Sequence, residues 1–245
     1  MNAAILISAN AEWEATKPLF PAAPITHTPY GESIHLPPDT SHLKPGTSNL
    51  TPDTSHLTPE TWHLTLIHSG WGKISSAAVM QYVIDHHAPD LIVNLGTCGG
   101  FEGCVDQGDI ILVEKTFVYD ILELMEEDDI SSFYASDLDL GWLAEPDPYP
   151  VRRGTLASAD SDLLPEKIPL LKSKGAIAAD WESGALAWVA QRNHARLLIL
   201  RAVSDVVHEQ GSDAYNNYEV FKERTRAIMK QLFDQLPIWL GSVRL

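Results

Sequence analysis

The run Leu197-Leu198-Ile199-Leu200 has no polar break, and a strand of that kind is stable only where both of its faces are covered. It constrains the fold more than any other stretch, because a sheet buried on both sides needs helices against it. The residues just before it supply one. Ala185, Leu186, Trp188 and Val189 recur at helical spacing, and Asp180, Trp181 and Glu182 open the segment, which places carboxylates in the first turn of a helix predicted to end near Asn193. Similar short apolar runs at residues 3–7 and 91–93 alternate with helical spacing over residues 74–86. An amphipathic helix over residues 217–240 is predicted to turn Val220, Phe221, Ile228, Leu232 and Phe233 toward the core. The class is therefore α/β, and 245 residues suit one large domain better than two small ones.

The strand at 197–200 feeds directly into Arg201-Ala202-Val203-Ser204-Asp205. Ligands of open α/β sheets gather at the carboxyl ends of strands, which makes Asp205 a catalytic candidate. A Ser-Asp pair after a strand also serves as a helix cap or turn, so position alone does not decide.

Charge excludes several partners. With 33 acidic against 17 basic residues and a net charge of −16, the chain would repel a polyanionic backbone, so nucleic-acid binding is not expected. The two cysteines, Cys98 and Cys104, suggest neither a disulfide framework nor a zinc site, and the histidine spacings bring no imidazoles onto one helical face. No cofactor and no metal are expected. No leader and no apolar run of membrane-spanning length are recognised, which points to a cytoplasmic protein with no membrane partner.

One segment departs from the rest. Residues 38–65 repeat with a seven-residue period: PDTSHLK, PGTSNLT, PDTSHLT, PETWHLT. A proline in every copy forbids a continuous helix, and one leucine per period is too narrow a stripe for a coiled coil. The repeat reads as a low-complexity insert, a hairpin or extended loop, whose last copy merges into a strand over residues 62–68.

Three turns have the composition of a binding site. Ser8-Ala9-Asn10 follows the first strand and leads to Glu12; His68-Ser69-Gly70-Trp71-Gly72-Lys73 joins a strand to a helix; Asn94-Leu95-Gly96-Thr97-Cys98-Gly99-Gly100-Phe101 reads as a glycine-rich bend. Glycines there remove β-carbons, so backbone amides can approach a ligand. The bend is not a phosphate loop, since it lacks both the Walker lysine and the G-x-G-x-x-G spacing.

These segments, taken with Asp180-Trp181-Glu182-Ser183 and Arg201 to Asp205, resemble the purine nucleoside phosphorylase and hydrolase superfamily, most nearly its methylthioadenosine/S-adenosylhomocysteine nucleosidases. The resemblance implies a three-layer α/β/α sandwich with a central mixed, largely parallel sheet, in a single domain over residues 1–245. It implies hydrolysis of the N-glycosidic bond of a purine nucleoside, and assembly as a homodimer or higher homo-oligomer. Carried over by position, Asp205 would protonate the departing base, Glu12 would activate water, with Glu14 as the alternative, and Glu182 would accept hydrogen bonds from the ribose hydroxyls. Thr97, Cys98 and Gly99 would line base and ribose, and Trp71 would face the sugar's 5′ side. Asp180, Trp181 and Ser204 would complete the pocket, and Arg201 would buttress the acid and the glutamates or form a plain structural ion pair. Asn94 and Leu95 stand where the phosphorylases usually carry an arginine, which favours water over phosphate as the nucleophile. Two departures bear on specificity: Tyr119-Asp120 replaces a histidine-aspartate pair, and Asp162 stands where the nucleosidases stack a phenylalanine on the base. Trp181 could supply that stacking surface instead. A phosphorylase and a non-catalytic nucleoside-binding module stay open as alternatives.

An ordinary aspartate is ionised at neutral pH, so an acid at 205 needs surroundings that disfavour its charged form.

Overall fold

The computed structural model describes residues 1–37, 62–125, 130–208, 211–212, 214 and 217–244. The body of the heptad repeat, residues 38–61, lies outside them, so the reading of it as a hairpin or loop does too; its last copy does run into a strand as expected. The strands are β1 (Asn2–Ile7), β2 (Ile25–His27), β3 (Glu32–Leu36), β4 (His63–His68), β5 (Leu91–Phe101), β6 (Ile110–Val118), β7 (Ala135–Asp137), β8 (Arg152–Ser158), β9 (Ala176–Asp180) and β10 (Leu197–Val207). The helices are α1 (Asn10–Thr16), α2 (Gly72–His87), α3 (Ile168–Ser173), α4 (Ser183–Arg192) and α5 (Tyr218–Gly241).

The ten strands among the described residues form one sheet in the order β10-β6-β8-β9-β5-β1-β4-β3-β2, with β7 on β6. A further β10–β5 pairing closes β5, β10, β6, β8 and β9 into a ring. The sheet is mixed. Its centre, β4-β1-β5-β10, is parallel, while β2, β3 and β7 add antiparallel edges and β9 and β6 meet β5 and β10 antiparallel. Among the described residues parallel and antiparallel pairings are equal in number, but the parallel ones are longer, so most paired residues lie in parallel register, as the resemblance implied.

Period-two alternation explains how the sheet is covered. In β1, Ala3, Ile5 and Ile7 enter one core with Trp13 of α1 and Met229, Leu232 and Leu236 of α5, while Ala4 and Leu6 enter another with Val79 and Met80 of α2 and Leu186 of α4. Helices thus lie on both faces, as the unbroken apolar runs require.

Three local readings change. The supposed bend at 94–101 is strand: β5 continues to Phe101 because β10 and β9 flank it and use its backbone groups. Likewise β10 runs on to Val207, so Asp205 lies within the strand, beside a register shift between Val203 and Asp205. Asp180 ends β9 and Glu182 is the N-cap of α4, so the carboxylates precede the helix instead of filling its first turn; Asn193 is the C-cap, close to the predicted end. The connection between β6 and β8 contributes β7 and buries Trp142 and Leu143. Among the described residues no helix is long and apolar enough to cross a membrane.

Candidate active site

The register shift in β10 is where the site begins. An extra residue in a strand re-aims the side chains that follow it. Here Ser204 and Asp205 both reach the wall of one cavity of about 770 Å³, although they are neighbours in a strand. The Ser204 hydroxyl donates to Asp205 Oδ1 at 2.6 Å, and Ser212 donates to Oδ2 at 2.5 Å. Asp205 is only 7% exposed. Ser204 also reaches the Cys98 carbonyl at 3.2 Å, which ties the acid to the adjacent strand.

Glu12 comes from the other side of the sheet's parallel centre. The β1–α1 turn leaves it 1% exposed, with Oε1 accepting from both the Thr97 backbone N–H (2.6 Å) and the Thr97 hydroxyl (2.9 Å). Its Oε2 accepts from the Ala9 N–H at 3.2 Å, the N-terminal capping contact of α1. Glu14, the alternative, points away: its side chain is 67% exposed and pairs with Lys17 at 2.6 Å.

One guanidinium lies beneath three carboxylates. Arg201, 1% exposed, approaches Asp180 Oδ2 at 2.9 Å, Glu182 Oε2 at 3.5 Å and Glu12 Oε1 at 3.8 Å. It also donates to Ser183 Oγ at 3.2 Å and to the Thr97 carbonyl at 3.4 Å. The expectation that it buttresses the acid is corrected in part: it serves the two glutamates and Asp180, while serine hydroxyls hold Asp205. Gly96 makes this possible, since a β-carbon there would lie 2.2 Å from Arg201 Nη1 and 2.8 Å from Glu12 Oε1.

The charge count has a consequence. Three buried carboxylates against one cation leave excess negative charge in a place that water solvates poorly. Burial, reinforced by the charges of Asp180 and Glu12, pushes Glu182 up to about 8 in spite of Arg201 and a 3.1 Å hydrogen bond from the Gly72 N–H. Asp180 is differently placed. Its oxygens accept from the Ser158 hydroxyl (2.6 Å), the Ser183 N–H (3.2 Å), the Ser183 hydroxyl and Arg201, which leaves it little freedom to bind anything else.

Of the residues singled out from the sequence, Glu12, Trp71, Thr97, Cys98, Gly99, Asp180, Trp181, Glu182, Ser204 and Asp205 all line this cavity, and Arg201 stands behind its wall. Cys98 is buried, and burial pushes its thiol well up, so it contributes shape and not nucleophilicity. Other residues at the site were read differently or not at all from the sequence. Phe221, assigned to the core, is half-buried and faces the cavity together with Asn217 and Tyr218, and the buried stripe of α5 starts only at Thr225. Ser212 had no motif to mark it. Tyr119 and Asp162, noted as departures, also line the wall, and burial pushes the Tyr119 hydroxyl up to about 12. Among the described residues no lysine or arginine lines the cavity. Among the described residues no group of three His, Cys, Asp or Glu side chains is placed to hold a metal ion.

A model of the phosphorylase superfamily matches residues 53–235. A 5′-methylthioadenosine/S-adenosylhomocysteine nucleosidase of Buchnera aphidicola subsp. Acyrthosiphon pisum is 30% identical over 200 residues, covering 73% of this chain and 80% of that protein. Among solved structures, the Streptococcus pneumoniae nucleosidase in complex with 8-aminoadenine superposes with a TM-score of 0.70 at 18% identity, over 99% of this chain and 100% of that one. A futalosine hydrolase mutant from Helicobacter pylori superposes equally well, TM-score 0.70 at 15% identity, over 96% and 98% of the two chains. The chain belongs to the phosphorylase superfamily, in the family of the methylthioadenosine/S-adenosylhomocysteine nucleosidases.

Proposed function

We propose that this protein hydrolyses the N-glycosidic bond of a purine nucleoside of the methylthioadenosine or S-adenosylhomocysteine kind and releases the free base. The observation that carries the reading is the convergence of Glu12, Glu182 and Asp205, from three distant parts of the chain, on one cavity. Cleavage of such a bond builds positive charge on the ribose and negative charge on the base. Carboxylates around the sugar stabilise the first, and proton donation relieves the second.

In this reading Asp205 gives its proton to the base, with the Ser204 and Ser212 hydroxyls fixing both carboxyl oxygens. Glu12, held from three sides by Thr97 and Ala9, orients and deprotonates the water. Glu182 accepts from the ribose diol, and Thr97, Cys98 and Gly99 form the floor. Trp181, Tyr218 and Phe221 offer flat surfaces to the base, and Trp71 faces the 5′ group. No step needs a metal or cofactor. A phosphate nucleophile would need a cationic holder, and none of the described lining residues is a lysine or arginine.

The same reading takes the chain as one domain, a three-layer α/β/α sandwich, working in the cytoplasm as a homodimer or higher homo-oligomer. Exposed Trp71, Ile74, Leu122, Leu124 and Met125 support assembly, since exposed apolar residues of this size favour contact with another copy.

The test is base release from a panel of purine nucleosides with and without phosphate. Release at the same rate in both conditions is the expected result. Strict dependence on phosphate would make the protein a phosphorylase, and tight binding without turnover would make it a binding module.

A further inference from the structure

The turn that leads into α2 does more than bring Trp71 to the cavity mouth. Gly72, at φ +79°, directs its N–H to Glu182 Oε1 at 3.1 Å, and a β-carbon on it would lie 2.7 Å from Asp160 Oδ1. Steric space and backbone conformation therefore both require glycine here. At the next residue the chain is clamped. The Lys73 N–H donates to Asp160 Oδ1 at 2.7 Å, and its ammonium reaches Asp160 Oδ2 at 2.9 Å and both oxygens of Asp120 at 2.6 and 2.8 Å. Asp120 in turn accepts the Asp160 N–H at 2.8 Å. The start of α2 is thus tied to the segments leaving β6 and β8, by groups that are each used more than once.

An isolated surface ion pair contributes little to stability, because water competes for both partners. This one is a network on a largely covered lysine, 16% exposed, and its effect falls on position. Lys73 is not among the cavity-lining residues, and both of its partners are carboxylates, so it is not placed to hold an anionic group of the substrate.

We propose that Lys73, by gripping Asp120 and Asp160, is a positioning residue for Glu182: the grip sets the Gly72 N–H against Glu182 Oε1 and so aims that carboxyl at the ribose. The proposal rests on the assignment of Glu182 to the ribose hydroxyls. Its consequence is electrostatic as well as geometric. The Gly72 N–H is one of the few groups that favour ionised Glu182, and the ionised carboxylate, an acceptor on both oxygens, holds the two hydroxyls of a diol more strongly than the neutral acid.

Steady-state kinetics with methylthioadenosine between pH 6 and 9 test it, on the wild type and on Lys73→Met, Lys73→Arg, Asp160→Asn and Glu182→Gln. For Lys73→Met the expected result is a fall in kcat/KM of about tenfold, the scale of modest misplacement of a binding group. KM should improve with rising pH in the wild type, and that improvement should move to higher pH in Lys73→Met. Lys73→Arg should restore most of the activity, Asp160→Asn should act in the same direction as Lys73→Met, and thermal melting should change little. Combined with Glu182→Gln, Lys73→Met should add almost nothing, since both act through one carboxyl. Wild-type kinetics and pH profile in both Lys73→Met and Asp160→Asn, or a full additive loss in the double variant, would refute the clamp. Unchanged kcat/KM in Glu182→Gln would instead refute the ribose assignment beneath it.

Discussion

Asp205 and Glu182 are both buried carboxyls, and the site asks opposite things of them. In the proposed mechanism Asp205 gives up a proton, so Asp205→Asn, which keeps the shape but loses the transferable proton, should reduce turnover by at least about 10²-fold, the scale of general acid catalysis. Nucleoside binding to the same variant, measured by calorimetry, should stay within a few-fold of the wild type; undiminished turnover would remove the acid from its role. Glu182 is raised in the folded state from an ordinary 4.5 to about 8. Between these values the native protein holds a proton that the unfolded chain has released. Stability from this group is therefore fully present below pH 4.5 and is lost as pH rises through about 8. Thermal melting across that window should fall less steeply with pH in Glu182→Gln than in the wild type. Gly96 offers a third check. Its missing β-carbon is the space that Arg201 and Glu12 occupy, so Gly96→Ala should cost about 1–3 kcal/mol by overpacking and reduce kcat/KM more than it lowers the melting temperature.

At the scale of elements, β10 and α5 divide their lengths between architecture and chemistry. The first half of β10 is a core strand, and beyond the register shift the same strand delivers Ser204 and Asp205 to the cavity. In α5, Leu232 and Leu236 are wholly buried against the sheet, while Tyr218 and Phe221 line the cavity. Substitutions in the two halves should separate. Leu232→Ala should destabilise the fold by about 2–5 kcal/mol in chemical denaturation, with kcat/KM of the remaining folded protein near normal. Phe221→Ala should leave denaturation almost unchanged and raise KM. The amphipathic pattern of α5 was legible, because burial against a sheet repeats every turn. The change of partner at its N-terminal end was not, because an aromatic that faces a ligand and one that faces the core look alike in sequence.

At the scale of the whole molecule, the heptad repeat falls in the chain between two strands that pair with each other. Leu36 of β3 pairs with Leu64 of β4 in an antiparallel register, so the chain leaves and re-enters the sheet at adjacent points. A connection of a few residues could span that gap. Replacing residues 39–60 with a short Gly/Ser loop should therefore leave circular dichroism and the melting temperature close to those of the full chain; failure to fold would give the repeat a structural role.

The sequence by itself determined the class of fold and the places of the main strands and helices, and the resemblance of its motifs to a known family named the charged residues that meet at the site. The first was legible because burial on two faces demands unbroken apolar runs, the second only because motifs in the same chain order are shared with that family. Tertiary structure alone decided the rest. It showed that the glycine-rich stretch is a strand, since pairing is settled by neighbours far away in the chain. It separated Glu12 from Glu14, two residues apart and alike in chemistry, by which side of a helical turn faces Arg201. It also gave Ser212, Phe221 and the Lys73 clamp their places, because a hydrogen bond across 40 or 87 positions leaves no periodic trace in the residues that make it.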